Sequence, residues 1–251
     1  MVVPDLFSPL AAPFRLDGSN GEAVVLTHGF TGVPAHFRPL AEFLHGHGYT
    51  VNVPLLAGHG TSPTNMAGTG ADDWIRSVRQ AARAVSDHRR VHLAGLSMGG
   101  LLSIIVAQAV AASSVTTINS PILVKNKRLY LTPVAHHFVP EVSWPEAPPP
   151  PLDPEVADYW LTYEGYHTAS AAELFKVMRH AYRSARRLRR PSLVIQSRTD
   201  ESVDPRSARL LANALGPKCD LVWLDRSIHN ALLDSERDII HRAVLGRITT
   251  V

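Results

Sequence analysis

The sequence predicts an α/β protein: a mostly parallel central sheet flanked by helices, with a small helical cap inserted. Three observations predict it. Short apolar runs of strand length alternate with helix-period segments through the first half of the chain and again at its end. Those runs are apolar at nearly every position, as strands covered on both faces must be. Between the two halves, residues 122–190 are rich in proline and helix and carry no clear strand, too long a stretch for a simple loop.

In chain order, Ala23-Val24-Val25-Leu26-Thr27 reads as a buried strand ended by His28-Gly29-Phe30-Thr31-Gly32. A helix follows with Phe37, Leu40, Ala41, Phe43 and Leu44 on one face and Gly46 and Gly48 at its end. Tyr49 to Val53 is the next strand, closed by Pro54 and the glycine-rich loop Ala57 to Gly60. Asp72 or Asp73 can start a helix carrying Trp74, Ile75, Val78, Ala81, Ala82 and Val85 at helical spacing. The strand Val91 to Ala94 then enters Gly95-Leu96-Ser97-Met98-Gly99, and Gly100 to Ala112 reads as a core helix. Val115 to Ile118 is a strand stopped by Asn119-Ser120-Pro121.

The insert holds a proline-dense run, Pro145 to Pro154, with consecutive prolines at 148–151, and helical segments near 155–161 and 169–189. Those prolines read as a stiff hinge or cap edge, with a polyproline ligand as the alternative. Alternation resumes with the strand Ser192 to Gln196, a helix from Pro205 to Leu215, a strand Leu221 to Leu224 and a last helix from about Glu236. The expected organisation is a core of residues 1–121 and 191–251 with a cap at 122–190.

A chain of 251 residues can bury one substantial core. Its net charge of +3 is concentrated in one basic run, His180 to Arg190, read as a solvated helix face. No aromatic stacking pattern accompanies that run, so no nucleic-acid partner is expected; a transient contact with an anionic lipid surface stays open. The single cysteine, Cys219, excludes an intramolecular disulfide and any multi-cysteine metal site. His136 and His137 are adjacent and point apart, and no phosphate-cradling glycine motif follows a strand, so neither a metal nor a cofactor is expected. Residues 1–20 lack the pattern of a signal peptide, and no apolar run is long enough for a bilayer, so the cytoplasm is the expected location.

A Gly-x-Ser-x-Gly at a strand-to-helix turn is a nucleophile elbow, in which a tight turn exposes the serine hydroxyl. The five-residue pattern alone arises by chance in roughly one chain in ten of this length. The strand before it and the helix after it carry the weight. The alternative is a glycine-rich turn whose serine caps the helix.

A serine hydroxyl needs a base, and the base needs an orienting group. In a parallel sheet such groups follow the carboxyl ends of strands. Two loops qualify: Arg198 to Pro205 and Asp225 to Asn230. The chain order Ser97, Asp200, His229 is then that of a nucleophile, acid and base triad. Of thirteen histidines, His229 alone lies on a late loop after a strand. Asp204 precedes Pro205 and reads as a helix cap, Glu201 is displaced along the loop, and Asp225 lies too near its strand. Backbone N–H groups of Met98 and Phe30 are the candidates for stabilising an oxyanion. His28 is expected to brace its loop, Gly29 to allow close backbone approach, and His59 to bond locally or touch substrate.

With these residues placed, the chain resembles the small bacterial carboxylesterases and monoacylglycerol lipases of the α/β-hydrolase superfamily. The segments that carry the resemblance are 26–32, 54–60, 69–74, Gly95 to Gly100, 196–200 with 203–205, and His229 with Leu233 and Asp234. They span almost the whole chain apart from the insert. The resemblance implies the α/β-hydrolase fold, no cofactor, an acyl-enzyme on Ser97 with Asp200 and His229, and an oxyanion hole at Phe30 and Met98. It also implies a small cap over an apolar acyl pocket. Pocket candidates are Ile122, Phe138, Trp144, Tyr163 and Tyr166, besides Phe30 and Met98, though core packing explains each aromatic equally well. One position departs from the pattern: Ile228 stands where glycine usually precedes the histidine. The expected activity is hydrolysis of short- to medium-chain acyl esters, monoacylglycerols foremost. A serine-triad amidase or perhydrolase, or a ligand sensor with slow turnover, are the alternatives.

Overall fold

Strand β2 (Glu22–Thr27) is buried at every position, and the residues that alternate along it face two different cores. The computed structural model describes residues 9–135, 139–143 and 154–251. Around β2 lie β1 (Phe14–Leu16), β3 (Thr50–Val53), β4 (Arg90–Leu96), β5 (Ser114–Ile118), β8 (Ser192–Ser197) and β9 (Cys219–Leu224). Their order across the sheet is β1-β3-β2-β4-β5-β8-β9. Every pairing is parallel except that of β1 with β3. A short antiparallel pair, β6 (Glu141–Ser143) with β7 (Gly165–His167), lies outside the sheet.

The helices are α1 (Arg38–Gly46), α2 (Pro63–Ala67), α3 (Ala71–Arg83), α4 (Met98–Ala107), α5 (Thr132–Ala135), α6 (Thr168–Ala185), α7 (Arg206–Leu215) and α8 (Arg237–Thr249). On one face of the sheet, Val25, Leu93, Val115 and Val194 pack with residues of α3, α4, α6 and α7. On the other face, Val24, Leu26, Ile118 and Ile195 pack with α1 and α8. Period-two alternation in the strands produces this two-layer burial. Each fully buried Val or Leu side chain contributes about 1.5–3 kcal/mol.

The strands anticipated from apolar runs are all present. Three strands carry no signal in the sequence. Strands β1, β6 and β7 are only three residues long each, β1 and β6 mixing exposed with partly buried positions and β7 burying Tyr166 alone, too short for any periodicity to mark them. The expectation of a strand-free insert is thereby corrected, since β6 and β7 both fall within it. The expected helix at 155–161 is a 3-10 turn, Pro154–Tyr159. Helix α6 falls in the stretch read as an insert, yet its Leu174, Val177, Met178, Ala181 and Ala185 belong to the main core. The arginines that end it, Arg183, Arg186, Arg187, Arg189 and Arg190, are exposed. Phe138, Trp144, His136, His137 and the prolines at 148–151 lie outside the described residues. Among the described residues no helix is long and apolar enough to cross a membrane.

Candidate active site

Small residues decide the shape of the turn after β4. A Cβ on Gly99 would stand 2.0 Å from the Thr27 carbonyl oxygen, and one on Gly95 would stand 2.2 Å from the Gly99 backbone. The turn therefore presses β4, α4 and the end of β2 into backbone contact, which only glycine permits. Ser97 sits at its apex with φ 54°, a strained conformation for a non-glycine residue, and Met98 opens α4. A Cβ on Gly29 would meet the Ser97 Cβ at 3.1 Å, so the loop after β2 lies directly beside the serine.

Strain concentrates here. Among the described residues the non-glycine positions with positive φ are Thr31, Ser97, Ala111 and Asn119. Three of those four follow the carboxyl ends of β2, β4 and β5. Strained backbone persists where the surroundings over-determine it, as at sites that present reacting groups.

Asp200 follows β8 and is fully buried. Four donors converge on it: the Ser202 and Val203 N–H groups on Oδ1, both at 2.8 Å, and His229 Nδ1 at 2.8 Å with Gln196 Nε2 at 3.3 Å on Oδ2. A carboxylate can only accept, so the His229 proton lies on Nδ1 and Nε2 carries the lone pair. Burial disfavours the His229 imidazolium. The Asp200 charge, its hydrogen bond and the Glu201 charge outweigh that and raise the pKa above the ordinary value. The His229 side chain keeps 22% exposure, which leaves the ring accessible.

The loop that carries His229 is held along its backbone. Glu236 accepts from the N–H groups of Asp225, Arg226 and Ser227, Asp234 from Ile228, and Glu201 from His229. Ile228 is absent from the residues with positive φ, so this loop has no need of glycine at that position. Asp204, expected as a helix cap, accepts from the Arg206 N–H at 2.9 Å at the start of α7.

The histidines near the site are neutral braces. His28 Nδ1 donates to the Gly29 carbonyl at 2.9 Å while Nε2 accepts from the Leu56 N–H at 3.1 Å. His59 Nδ1 donates to the Ala57 carbonyl at 3.1 Å, the local bond anticipated for it. Burial pushes His59 and His36 down to about 4.

Of the pocket candidates, Tyr166 packs edge-on against Phe30 with centroids 5.7 Å apart. Tyr163 is buried beside it, and its hydroxyl accepts from the Thr61 N–H and donates to the Gly58 carbonyl. Ile122 packs against the main core, with its N–H held by Ser207 of α7. Three residues to which the sequence assigns no role in the site hold the histidine loop: Asn119, Asp234 and Glu236. Asn119 read only as a strand stop, although asparagine directly after a buried strand is a signal for left-handed backbone.

Comparison with known proteins agrees with this geometry. The family model Hydrolase_4 (serine aminopeptidase, S33) matches residues 18–236. The chain is 30% identical over 236 residues to a thermostable monoacylglycerol lipase of Bacillus sp. (strain H-257), covering 92% of this chain and 91% of the relative. It is 26% identical over 235 residues to a carboxylesterase of Bacillus subtilis (strain 168), covering 92% and 94% respectively. A solved structure from the metagenome-derived lipolytic enzymes LipS and LipT superposes with a TM-score of 0.88 at 30% identity, over 97% of this chain and 99% of the other.

Proposed function

The chain belongs to the Hydrolase_4 family of α/β-hydrolases, esterase- and monoacylglycerol-lipase-like serine hydrolases, and on that premise we propose that it hydrolyses short- to medium-chain acyl esters, monoacylglycerols foremost. Ser97 is the nucleophile, His229 the base and Asp200 the group that orients it. His229 Nε2 takes the Ser97 proton as the hydroxyl attacks the ester carbonyl. The negative charge that develops on the carbonyl oxygen meets the N–H groups of Phe30 and Met98, with the positive end of α4 behind Met98. The tetrahedral intermediate collapses, His229 returns the proton to the leaving alcohol, and an acyl-enzyme remains. Water, activated by the same imidazole, releases the acid.

The observation that carries this reading is the Asp200–His229 pair, whose 2.8 Å bond leaves Nε2 as the basic nitrogen. The loop beside Ser97 and the family relatives support it. Phe30, Met98 and Tyr166 form the wall we assign to the acyl group. A transient lipid contact belongs to the same reading: Leu131, Val134 and Val139 are exposed, as are Lys125, Lys127 and Arg128 earlier in the same segment of the chain. Cosedimentation with anionic but not neutral vesicles tests that contact.

The principal experiment is turnover of p-nitrophenyl esters from acetate to palmitate, and of monoacylglycerols, by wild type and Ser97→Ala. Multiple turnovers with an optimum between about four and twelve carbons, abolished in Ser97→Ala, are expected. A single stoichiometric burst would instead indicate a ligand sensor, and turnover of anilides alone an amidase.

A further inference from the structure

We propose that Asn119 is a positioning residue: its amide carries the His229 loop across the end of β5 and sets the imidazole relative to Ser97. The inference rests on the assignment of Ser97 as nucleophile and His229 as base.

The sheet order poses the problem. Ser97 follows β4 and His229 follows β9, and β5 and β8 stand between them. Three strand spacings amount to about 14 Å. Asp200, at the end of β8, holds the imidazole. The remaining gap lies over β5, where Asn119 is the first residue after the strand.

Asn119 is fully buried, and both ends of its amide are used. Nδ2 donates to the His229 carbonyl at 2.8 Å and to the Ile228 carbonyl at 3.3 Å. Oδ1 accepts from the Ser197 N–H at 2.8 Å, at the end of β8. One planar group thus joins β5, β8 and the histidine loop. Its neighbours hold the nucleophile: the Ile118 carbonyl accepts from the Ser97 N–H at 2.7 Å, and the Ser120 hydroxyl donates to the Ser97 carbonyl at 2.8 Å. Three consecutive residues therefore fix the backbone of both reacting groups.

The residue type follows from these contacts. At φ 45° the backbone is left-handed, where asparagine is tolerated better than most side chains. Aspartate at this place could accept from Ser197 but would set a carboxylate against two carbonyl oxygens. Glycine would relax the backbone and leave all three partners without their bond.

Asn119→Gly and Asn119→Asp separate these requirements, with Ser97→Ala as control. In each variant kcat, KM and the thermal midpoint are measured on the best p-nitrophenyl ester. Because displacements near 1 Å can cost on the order of 10²-fold in rate, both variants are expected to lose at least about 30-fold in kcat. KM should stay within about 3-fold of wild type, since the acyl wall is untouched, in the fraction that remains folded. Folded Asn119→Gly with kcat within about 3-fold of wild type overturns the proposal, as does a loss that merely follows the folded fraction. Turnover retained by Ser97→Ala would instead remove the serine assignment itself. An inactive Ser97→Ala beside a fully active Asn119→Gly would remove only the positioning role.

Discussion

The loop Asp225 to His229 and the segment 154–163 of the insert are both anchored on the carboxyl end of the sheet, by different kinds of bond. The loop has five consecutive N–H groups accepted by the carboxylates of Glu236, Asp234 and Glu201, at 2.7–3.0 Å. The Ser227 carbonyl is held by the hydroxyls of Ser197 and Thr199, and the next two carbonyls by Asn119. The insert segment is tied at separate points. His36 Nε2 donates to the Leu161 carbonyl at 2.8 Å, Thr162 and Thr31 share hydroxyl contacts at 3.3 Å, and Tyr163 reaches the Gly58–Thr61 loop. An ion pair joins partly buried Arg237 to exposed Glu155 at 3.2 Å. Charge-assisted bonds are roughly twice as strong as neutral ones. The comparison teaches that the loop of the proposed base is over-determined, whereas the insert segment is attached by bonds that can be altered singly.

Asp200→Asn strikes the centre of the over-determined region. It should lower kcat by about 10³–10⁴-fold with little change in KM, because the amide favours the wrong imidazole tautomer. Steady-state kinetics on the ester series checks this.

Glu236→Gln attacks the root of the loop. Glu236 is buried, and burial alone would raise its pKa. The N–H groups of Asp225 and Arg226, with the hydroxyl and N–H of Ser227, hold it below the ordinary value instead. Replacing one acceptor oxygen by a donor should cost about 1–3 kcal/mol, read as a lowered thermal or urea midpoint.

Glu201→Gln is a smaller change, since the side chain is exposed. Glu201 helps raise the His229 pKa, so its neutralisation should move the acid limb of kcat/KM to lower pH by less than about one unit, the plateau being kept. The stability linkage has the matching sign. A raised folded pKa stabilises fully below the unfolded value near 6.5, and that contribution is lost as pH rises through the folded pKa. A movement of the limb to higher pH would contradict the assignment.

Thr162→Val should have the least effect. Stability should change by less than about 1 kcal/mol, with kcat preserved and KM for the longer esters altered a few-fold. A large loss of kcat would mean that the cover and the chemistry are coupled.

How much of the site was legible follows the same division. Ser97 stands in a five-residue pattern whose first glycine is dictated by contact within the turn and whose second is dictated by the end of β2. Asp200 and His229 follow strands that their apolar runs disclose. Asn119, Asp234 and Glu236 escaped because their partners lie on other segments: Asn119 acts on residues 197, 228 and 229, and Glu236 on residues 225–227. Ile228 departs from the family pattern, and the structure explains it: its N–H goes to Asp234 and its carbonyl to Asn119 without left-handed backbone.

By itself the sequence determined the six main parallel strands, the helices that cover them, the elbow and the order of its chemical partners. All of these depend on local spacing, because burial on two faces and a tight turn constrain neighbouring residues directly. Only the tertiary structure decided β1 and the β6–β7 pair, the packing of α6 into the main core, and the bridging of β5 by one asparagine amide. Short polar strands and side-chain braces draw their free energy from partners distant in the chain, and no periodicity records which partners meet.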